Sequence, residues 1–370
     1  MDDSTLTSIV VGDDVHTWLP AMADLAEGGA GAHPLVQHPL WIEHELRVRK
    51  PNRVAVVLDR EGDRVVGYGA LVCMPNRLSV QLRGVTVPLL TGNSWCLLGG
   101  AFVCREERSA QIQEQLVAAL DPGWRRAIVK LEEASHDAPA LAAFVRNLWR
   151  LHVSQGQDQK AWFLDVGLGW EAYLAGFSAK RRSALKRQCR KLREEFADLR
   201  MVKVTGPEQL REYLTLFDSL YRTTWHFEQT PRVWNSEDMV LTFTRLAQRG
   251  VLRSYMFTTG GTALAVAHGT LYRGNFLLDD IAYDEKHATL SPGTALLFEA
   301  IEDMFHAEPP RQISFGFGNN QYKEVLARRS VGANTFYAER TSSNAARFIP
   351  LALYHWLHGL VQRRTAQARD

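Results

Sequence analysis

A chain of 370 residues exceeds one ordinary domain and suits two, each able to bury its own core. Hydrophobic residues make up 46% and charged residues 23%, the balance of a globular protein, and a net charge of +2 supplies no global field for nucleic acid or membrane. The four cysteines (Cys73, Cys96, Cys104, Cys189) form no CxxC pair and no metal-ligand spacing, so buried reduced thiols are expected and a metal centre is not.

The acidic start MDDSTLTSIVVGDD lacks a basic segment ahead of an apolar core, and no apolar run reaches transmembrane length. A soluble cytoplasmic protein is expected. His16 to Ala26 and Trp41 to Val48 read as helices. Val54 to Leu58 and Val65 to Met74 read as strands joined through Glu61-Gly62-Asp63, with more β character from Leu78 to Leu90. A helix over Ala110 to Leu120, a strand over Ala127 to Leu131 and a helix over Ala138 to Leu148 complete the first half.

The second half gives the same scheme. Leu210 to Trp225 reads as a helix, and Leu252 to Phe257 with Ala263 to Leu271 as a hairpin through Gly260-Gly261. Laying VVLDREGDRVVGYGAL over YMFTTGGTALAVAHGT brings Gly62 and Gly261 into register, the mark of an internal repeat. Between the halves, Phe177, Ala184, Leu185, Cys189, Leu192 and Phe196 fall on one helical face. The opposite face carries eight Lys and Arg residues from Lys180 to Arg193, with no acidic residue before Glu194. Unneutralised like charges of this kind suit an anionic partner: the phosphates of a CoA carrier, an acyl carrier protein or a tRNA backbone.

Thr262 to Ala327 is the most informative stretch. A hairpin at Arg273-Gly274 is followed by a polar loop from Asp284 to Ser291, then Pro292-Gly293-Thr294 opening a helix with Leu296, Leu297, Ala300, Ile301 and Met304 at helical spacing. A short strand (Ile313, Phe315, Phe317) and a helix from near Gln321 follow. The first turn of a helix presents unpartnered N–H groups and partial positive charge, and Ser291, Gly293 and Thr294 are small enough to let a pyrophosphate approach.

Tyr283-Asp284, Ser291-Pro292-Gly293 with Leu296-Leu297 and Ile301, Phe315-Gly316 and Tyr322-Lys323, preceded by Phe177 to Arg182 and Arg190-Lys191-Leu192, make this segment similar to the GNAT acyltransferase superfamily. The branch it resembles includes Fem-type peptidyltransferases and acetyltransferases of cellulose and exopolysaccharide synthesis. It departs from that branch at Ser314 and Asn319-Asn320, where charged residues are usual. The resemblance implies an α/β (α+β) fold of tandem GNAT-like domains, each a mixed, mostly antiparallel sheet flanked by helices. The expected boundaries are 1–160 for a first domain without cofactor, 161–345 for a second with the cofactor loop, and 346–370 for a C-terminal helix and tail.

It further implies direct transfer of an acyl group from acetyl-CoA, or another acyl-CoA, to an amine or sugar acceptor. Aminoacyl-tRNA is the alternative donor, and a non-catalytic GNAT-fold binding protein the alternative role, favoured by Ser314 and Asn319-Asn320. Tyr322 matches the place of the family's general acid. The base is to be sought among Asp279, Asp280 and His268: the strand's alternation turns one of the two aspartates inward without saying which. Ser291, Pro292, Gly293, Thr294, Lys323 and Arg187 are the expected cofactor contacts, with Trp225 and Asp284 at a small-molecule, saccharide or peptide acceptor. GxSxG, HExxH, GxxxxGK and a strand-linked GxGxxG are all absent.

Overall fold

Two units divide the chain: Met1–Gln159 with Gly332–Asp370, and Lys160–Val331. The computed structural model describes residues 6–28, 33–82, 85–104, 126–132, 151–155, 160–167, 169–224, 227–228, 231–318 and 320–339. The helices expected over Ala110 to Leu120, Ala138 to Leu148 and 346–370 lie outside the described residues.

In the first unit, Leu6–Val11 (β1) leads through a 3-10 turn into Leu19–Glu27 (α1), and Pro39–Val48 (α2) follows. Val54–Glu61 (β2), Arg64–Leu82 (β3) and Val85–Leu97 (β4) run antiparallel in sequence with β1. Val103–Cys104 (β5) adds to β3, and Arg126–Glu132 (β6) joins β4 in parallel. Leu151–Gln155 (β7) belongs to the same sheet. Met22, Leu25, Ile42 and Leu46 of the two helices bury against Val54, Val56, Leu58 and Tyr68.

The second unit opens with Lys160–Asp165 (β8), Trp170–Ala175 (α3) and Ala179–Glu195 (α4). Ser178 caps α4 by accepting a hydrogen bond from the Arg181 N–H at 3.2 Å. Arg200–Val204 (β9) and Leu210–Tyr221 (α5) come next, then Glu237–Gln248 (α6), Ser254–Thr259 (β10), Thr262–Tyr272 (β11) and Asn275–Tyr283 (β12). Arg273 and Gly274 join β11 to β12 with φ of 52° and 76°, the two left-handed residues of a tight hairpin. Pro292–Ala307 (α7), Gln312–Phe317 (β13) and Gln321–Leu326 (α8) complete the unit. Arg329–Glu339 (β14) then leaves it.

The two sheets share one order. The second runs β9-β10-β11-β12-β13-β8 and the first β1-β2-β3-β4-β6-β14. In each, four antiparallel strands are followed by a parallel pair (β12 with β13, β4 with β6) and an antiparallel closing strand. The hairpins turning at Gly62 and at Gly260-Gly261 occupy the same place in both, with φ of 62°, 54° and 72°. The boundary expected at 345 differs from the observed division: the chain leaves the second unit at Val331, because Ala333 to Glu339 pair with β6 and Thr335 to Glu339 with β7.

In the second unit the sheet is covered on both faces. Leu296, Leu297, Ala300, Ile301 and Met304 of α7 bury with Leu185 and Leu192 of α4 against Tyr255, Phe257, Ala265 and Ala267. Each large aliphatic side chain buried there contributes about 1.5–3 kcal/mol. Tyr213 and Phe217 of α5, Phe243 of α6 and Trp234 close around His268 on the other face. The mixed, mostly antiparallel α/β architecture is the expected one.

Candidate active site

β12 and β13 pair over only three positions, Asn275 with Gln312, Phe276 with Ile313 and Leu277 with Ser314. Beyond them the ladder stops, although β12 continues to Tyr283 and β13 to Phe317. Gly316, with φ of 69°, lies just past the last pair. Strands that part leave backbone donors and acceptors facing an opening, which a ligand with amide groups can satisfy.

At the start of α7, Ser291 takes a left-handed conformation (φ 52°, ψ 51°) and its side chain caps nothing. A non-glycine residue there stores strain of about 1–3 kcal/mol, of the kind kept at ligand sites. The Ser291 N–H is satisfied by Ala288 O at 2.9 Å and the Ala295 N–H by Ser291 O at 3.1 Å. Pro292 has no N–H. The N–H groups of Gly293 and Thr294 are left with no acceptor among the described residues. Gly293 is also pressed onto β12: a Cβ there would stand 3.2 Å from Tyr283 Cδ1 and 3.3 Å from Ile281 Cδ1. Its smallness therefore lets helix and strand approach, as well as keeping the amides accessible.

The register of β11 against β12 slips beside this opening. His268 pairs with Asp280, but Gly269 pairs with Leu278, leaving Asp279 as the bulged residue. Asp279 is exposed to solvent although protein packs around it, and its carboxylate accepts no hydrogen bond among the described residues. The protein packed around it pushes its carboxyl up to about 7; nearby Arg232 opposes the rise and Asp280 adds to it. Asp280 accepts from the Ile281 N–H at 2.9 Å.

Tyr322, in the first turn of α8, packs half-buried against the core. Burial holds its phenol above the ordinary tyrosine range; a hydrogen bond with Asn320 opposes this, and the charge of Asp280 adds to it. Its hydroxyl is therefore a proton donor throughout the neutral range, within electrostatic reach of Asp280.

Three expected site residues serve structural roles here. His268 is 0% exposed and boxed by Tyr213, Phe217, Trp234 and Phe243, with Nδ1 3.0 Å from Tyr213 Oη and 3.1 Å from Ser254 Oγ. Burial first, then Arg232, drops its pKa to about 3. No incoming amine can reach it, so it is not the base. Lys323 is 5% exposed and donates to the Phe317 carbonyl, which ties down the end of β13 instead of meeting a phosphate. Burial lowers its pKa to about 8. Asp284, partly exposed, accepts from the Lys286 N–H at 3.0 Å and meets His287 Nδ1 at 3.0 Å, which fixes the loop before α7.

Arg187 is exposed on α4 and has no ion pair among the described residues. Part of the basic face is neutralised: Arg193 forms a forked pair with Glu299, Arg190 lies 3.4 Å from Glu194, and Arg182 donates to the carbonyls of Leu174 and Phe177. Trp225 lies outside the described residues. Arg232 was not anticipated from sequence. It lies over the Trp234 ring at 4.8 Å, and a loop arginine of this kind carries no periodic signal. No cluster able to hold a metal occurs among the described residues.

Residues 179–324 match the family model of the acetyltransferase (GNAT) domain. The chain carries a GNAT domain. That domain holds the strand opening, the bulge and the start of α7 together. No curated protein matches the chain. Among solved structures, FemX superposes with a TM-score of 0.55 at 9% identity, covering 90% of this chain and 98% of its own. The C-terminal domain of a putative lysylphosphatidylglycerol synthetase from Agrobacterium fabrum gives 0.55 at 10% identity, covering 91% and 96%. L-PGS from Bacillus licheniformis gives 0.54 at 13%, covering 94% and 97%. These likenesses establish the fold that the GNAT domain and the unit before it share with them. No described helix is long and apolar enough to cross a membrane.

Proposed function

We propose that the GNAT domain transfers an acyl group, most simply acetyl, from CoA directly to an amine. The observation that carries this is the parting of β12 from β13 after Leu277 and Ser314, next to a helix start whose Gly293 and Thr294 amides have no acceptor among the described residues. The free amides suit a pyrophosphate, and the parted strands suit the amide-bearing arm that follows it. The thioester supplies the activated acyl group. Asp279, with a carboxyl near 7, takes the proton lost by the attacking ammonium. Tyr322 keeps its hydroxyl proton for the departing sulfur. Nitrogen gains the acyl carbon, the carbon–sulfur bond breaks, and no covalent enzyme intermediate forms.

A second reading, aminoacyl transfer from a charged tRNA, is favoured by the basic face of α4. Lys180, Arg181, Lys186, Arg187 and Lys191 are exposed there, with no ion pair among the described residues. Thermal shift separates the two. Acetyl-CoA should raise Tm in a concentration-dependent way; no shift at millimolar ligand would remove CoA as donor.

A further inference from the structure

Arg232 and Asp279 are the two charged side chains at the opening that have no hydrogen-bond or ion-pair partner among the described residues. Each feels the other's charge, yet they form no ion pair. Arg232 is held in place. Its guanidinium lies 4.8 Å over the ring of Trp234, which is 1% exposed and stacked on Phe217 at 4.4 Å. The backbone N–H of Trp234 donates to Asp218 Oδ1 at 2.7 Å, so the loop carrying Arg232 is pinned to α5. Asp279 is fixed by the bulge opposite His268.

An arginine stacked on an aromatic ring keeps its planar fork free and oriented, the arrangement that recognises a carboxylate through two parallel hydrogen bonds. A neighbouring exposed carboxylate that no described protein group pairs is open to a cationic ammonium. Opposite charges left apart at one opening are complementary to a molecule that carries both signs. A neutral amine would leave Arg232 unpaired, and a plain anion would sit against Asp279 unfavourably.

We propose that the acceptor is an amino acid in the broad chemical sense: a molecule with a free amine, placed at Asp279, and a carboxylate, gripped by Arg232. Arg232 is thus the specificity-determining residue. This deepens the acyl-transfer reading and rests on it for the role of Asp279, but the binding claim can be tested separately.

The probes are unbranched amino acids of increasing length, from glycine to ε-aminocaproate, and the common L-amino acids, each paired with its carboxamide. Binding is read by thermal shift and transfer by release of free CoA thiol from acetyl-CoA. At least one acid should bind about tenfold or more tightly than its amide, as a charge-assisted fork implies. Arg232→Gln should erase that difference, and Arg232→Lys should restore part of it. Amides binding as well as acids, no acid in the panel binding, or a preference surviving in Arg232→Gln would each overturn the proposal. Acids that bind through Arg232 but are never acetylated would leave it standing while the acyl-transfer reading falls.

Discussion

His268 stands opposite Asp280 across β11 and β12, and the next pair is Gly269 with Leu278. The one residue this skips, Asp279, is displaced from the ladder just where β12 parts from β13. The buried imidazole sits at the last regular step before the slip, boxed by four rings. A packed histidine on one strand thus borders the point at which a carboxylate on the next is released from regular pairing. The proposed base and the residue that borders its bulge are thus different side chains, although both drew attention in the sequence.

Asp279 gives two opposite pH signatures. As the base it must be ionised, so kcat/KM should rise with pH through about 7 and level off above it. Its effect on stability runs the other way. The folded carboxyl binds its proton more tightly than the unfolded one, so stability is fullest below the unfolded pKa and is lost as pH rises through about 7. Asp279→Asn should therefore lose about a hundredfold or more in kcat, yet melt higher than the parent protein at pH 8 and alike near pH 4. An Asn variant with unchanged pH–rate behaviour would take Asp279 out of proton transfer.

For His268 the linkage sign is reversed. Its folded pKa, about 3, lies below the ordinary 6.5, so the stability it contributes is complete above 6.5 and is lost as pH falls toward 3. Urea unfolding should show a slope of up to about 1.4 kcal/mol per pH unit from this one proton. His268→Gln should be less stable at pH 7, since it disturbs the ring box, but should flatten that slope. An equally steep acid limb in the variant would assign the slope to other groups.

At Gly293 a side chain must fit where Tyr283 Cδ1 and Ile281 Cδ1 are already 3.2 and 3.3 Å from a Cβ. Gly293→Ala gains helix propensity of up to about 1 kcal/mol and asks its neighbours to yield a few tenths of an ångström. Gly293→Val adds two methyls and should cost about 1–3 kcal/mol in denaturant unfolding, with weaker acetyl-CoA binding as α7 moves off β12. A Val variant with normal stability and affinity would show that the helix start has room to spare.

The hairpins at Gly62, Gly261 and Arg273-Gly274 and the helix opening at Pro292 were legible because turn chemistry is local: positive φ and a missing N–H are written in the residue itself. The repeat of strand order was legible through the same turns. Alternation could not choose between Asp279 and Asp280, because a bulge breaks the very period on which alternation relies. Lys323 and Asp284 read as ligand contacts because residue type alone does not show that the Phe317 carbonyl and the Lys286 N–H, both close by in the chain, meet their polar groups. Arg232 depends on Trp234, and Trp234 on Asp218 of α5, a chain of contacts that sequence spacing does not encode.

The basic face of α4 decides the second reading. Arg187 and Lys191 are exposed and carry no ion pair among the described residues, so reversing both should not unfold the helix. If tRNA docks there, binding should weaken steeply with salt, and Arg187→Glu with Lys191→Glu should reduce the slope of log K against log salt by about 0.7–0.9 per phosphate lost. A gel shift that is absent at low salt, or insensitive to the double reversal, would remove tRNA from this face.

Tyr322 separates proton donation from binding. Its hydroxyl is held protonated by burial and by the charge of Asp280, so the alkaline fall in rate that marks loss of a general acid should lie above the ordinary tyrosine range. Tyr322→Phe keeps the ring that packs on the core and deletes only the proton. It should lower kcat by about a hundredfold and leave the acetyl-CoA Tm shift intact, because the Gly293 and Thr294 amides are untouched. Thiol leaving groups of lower pKa need less protonation, so a donor thioester with an aromatic thiol should recover much of the lost rate in Tyr322→Phe. Equal losses with both thioesters would mean that the hydroxyl positions the donor rather than protonating its sulfur.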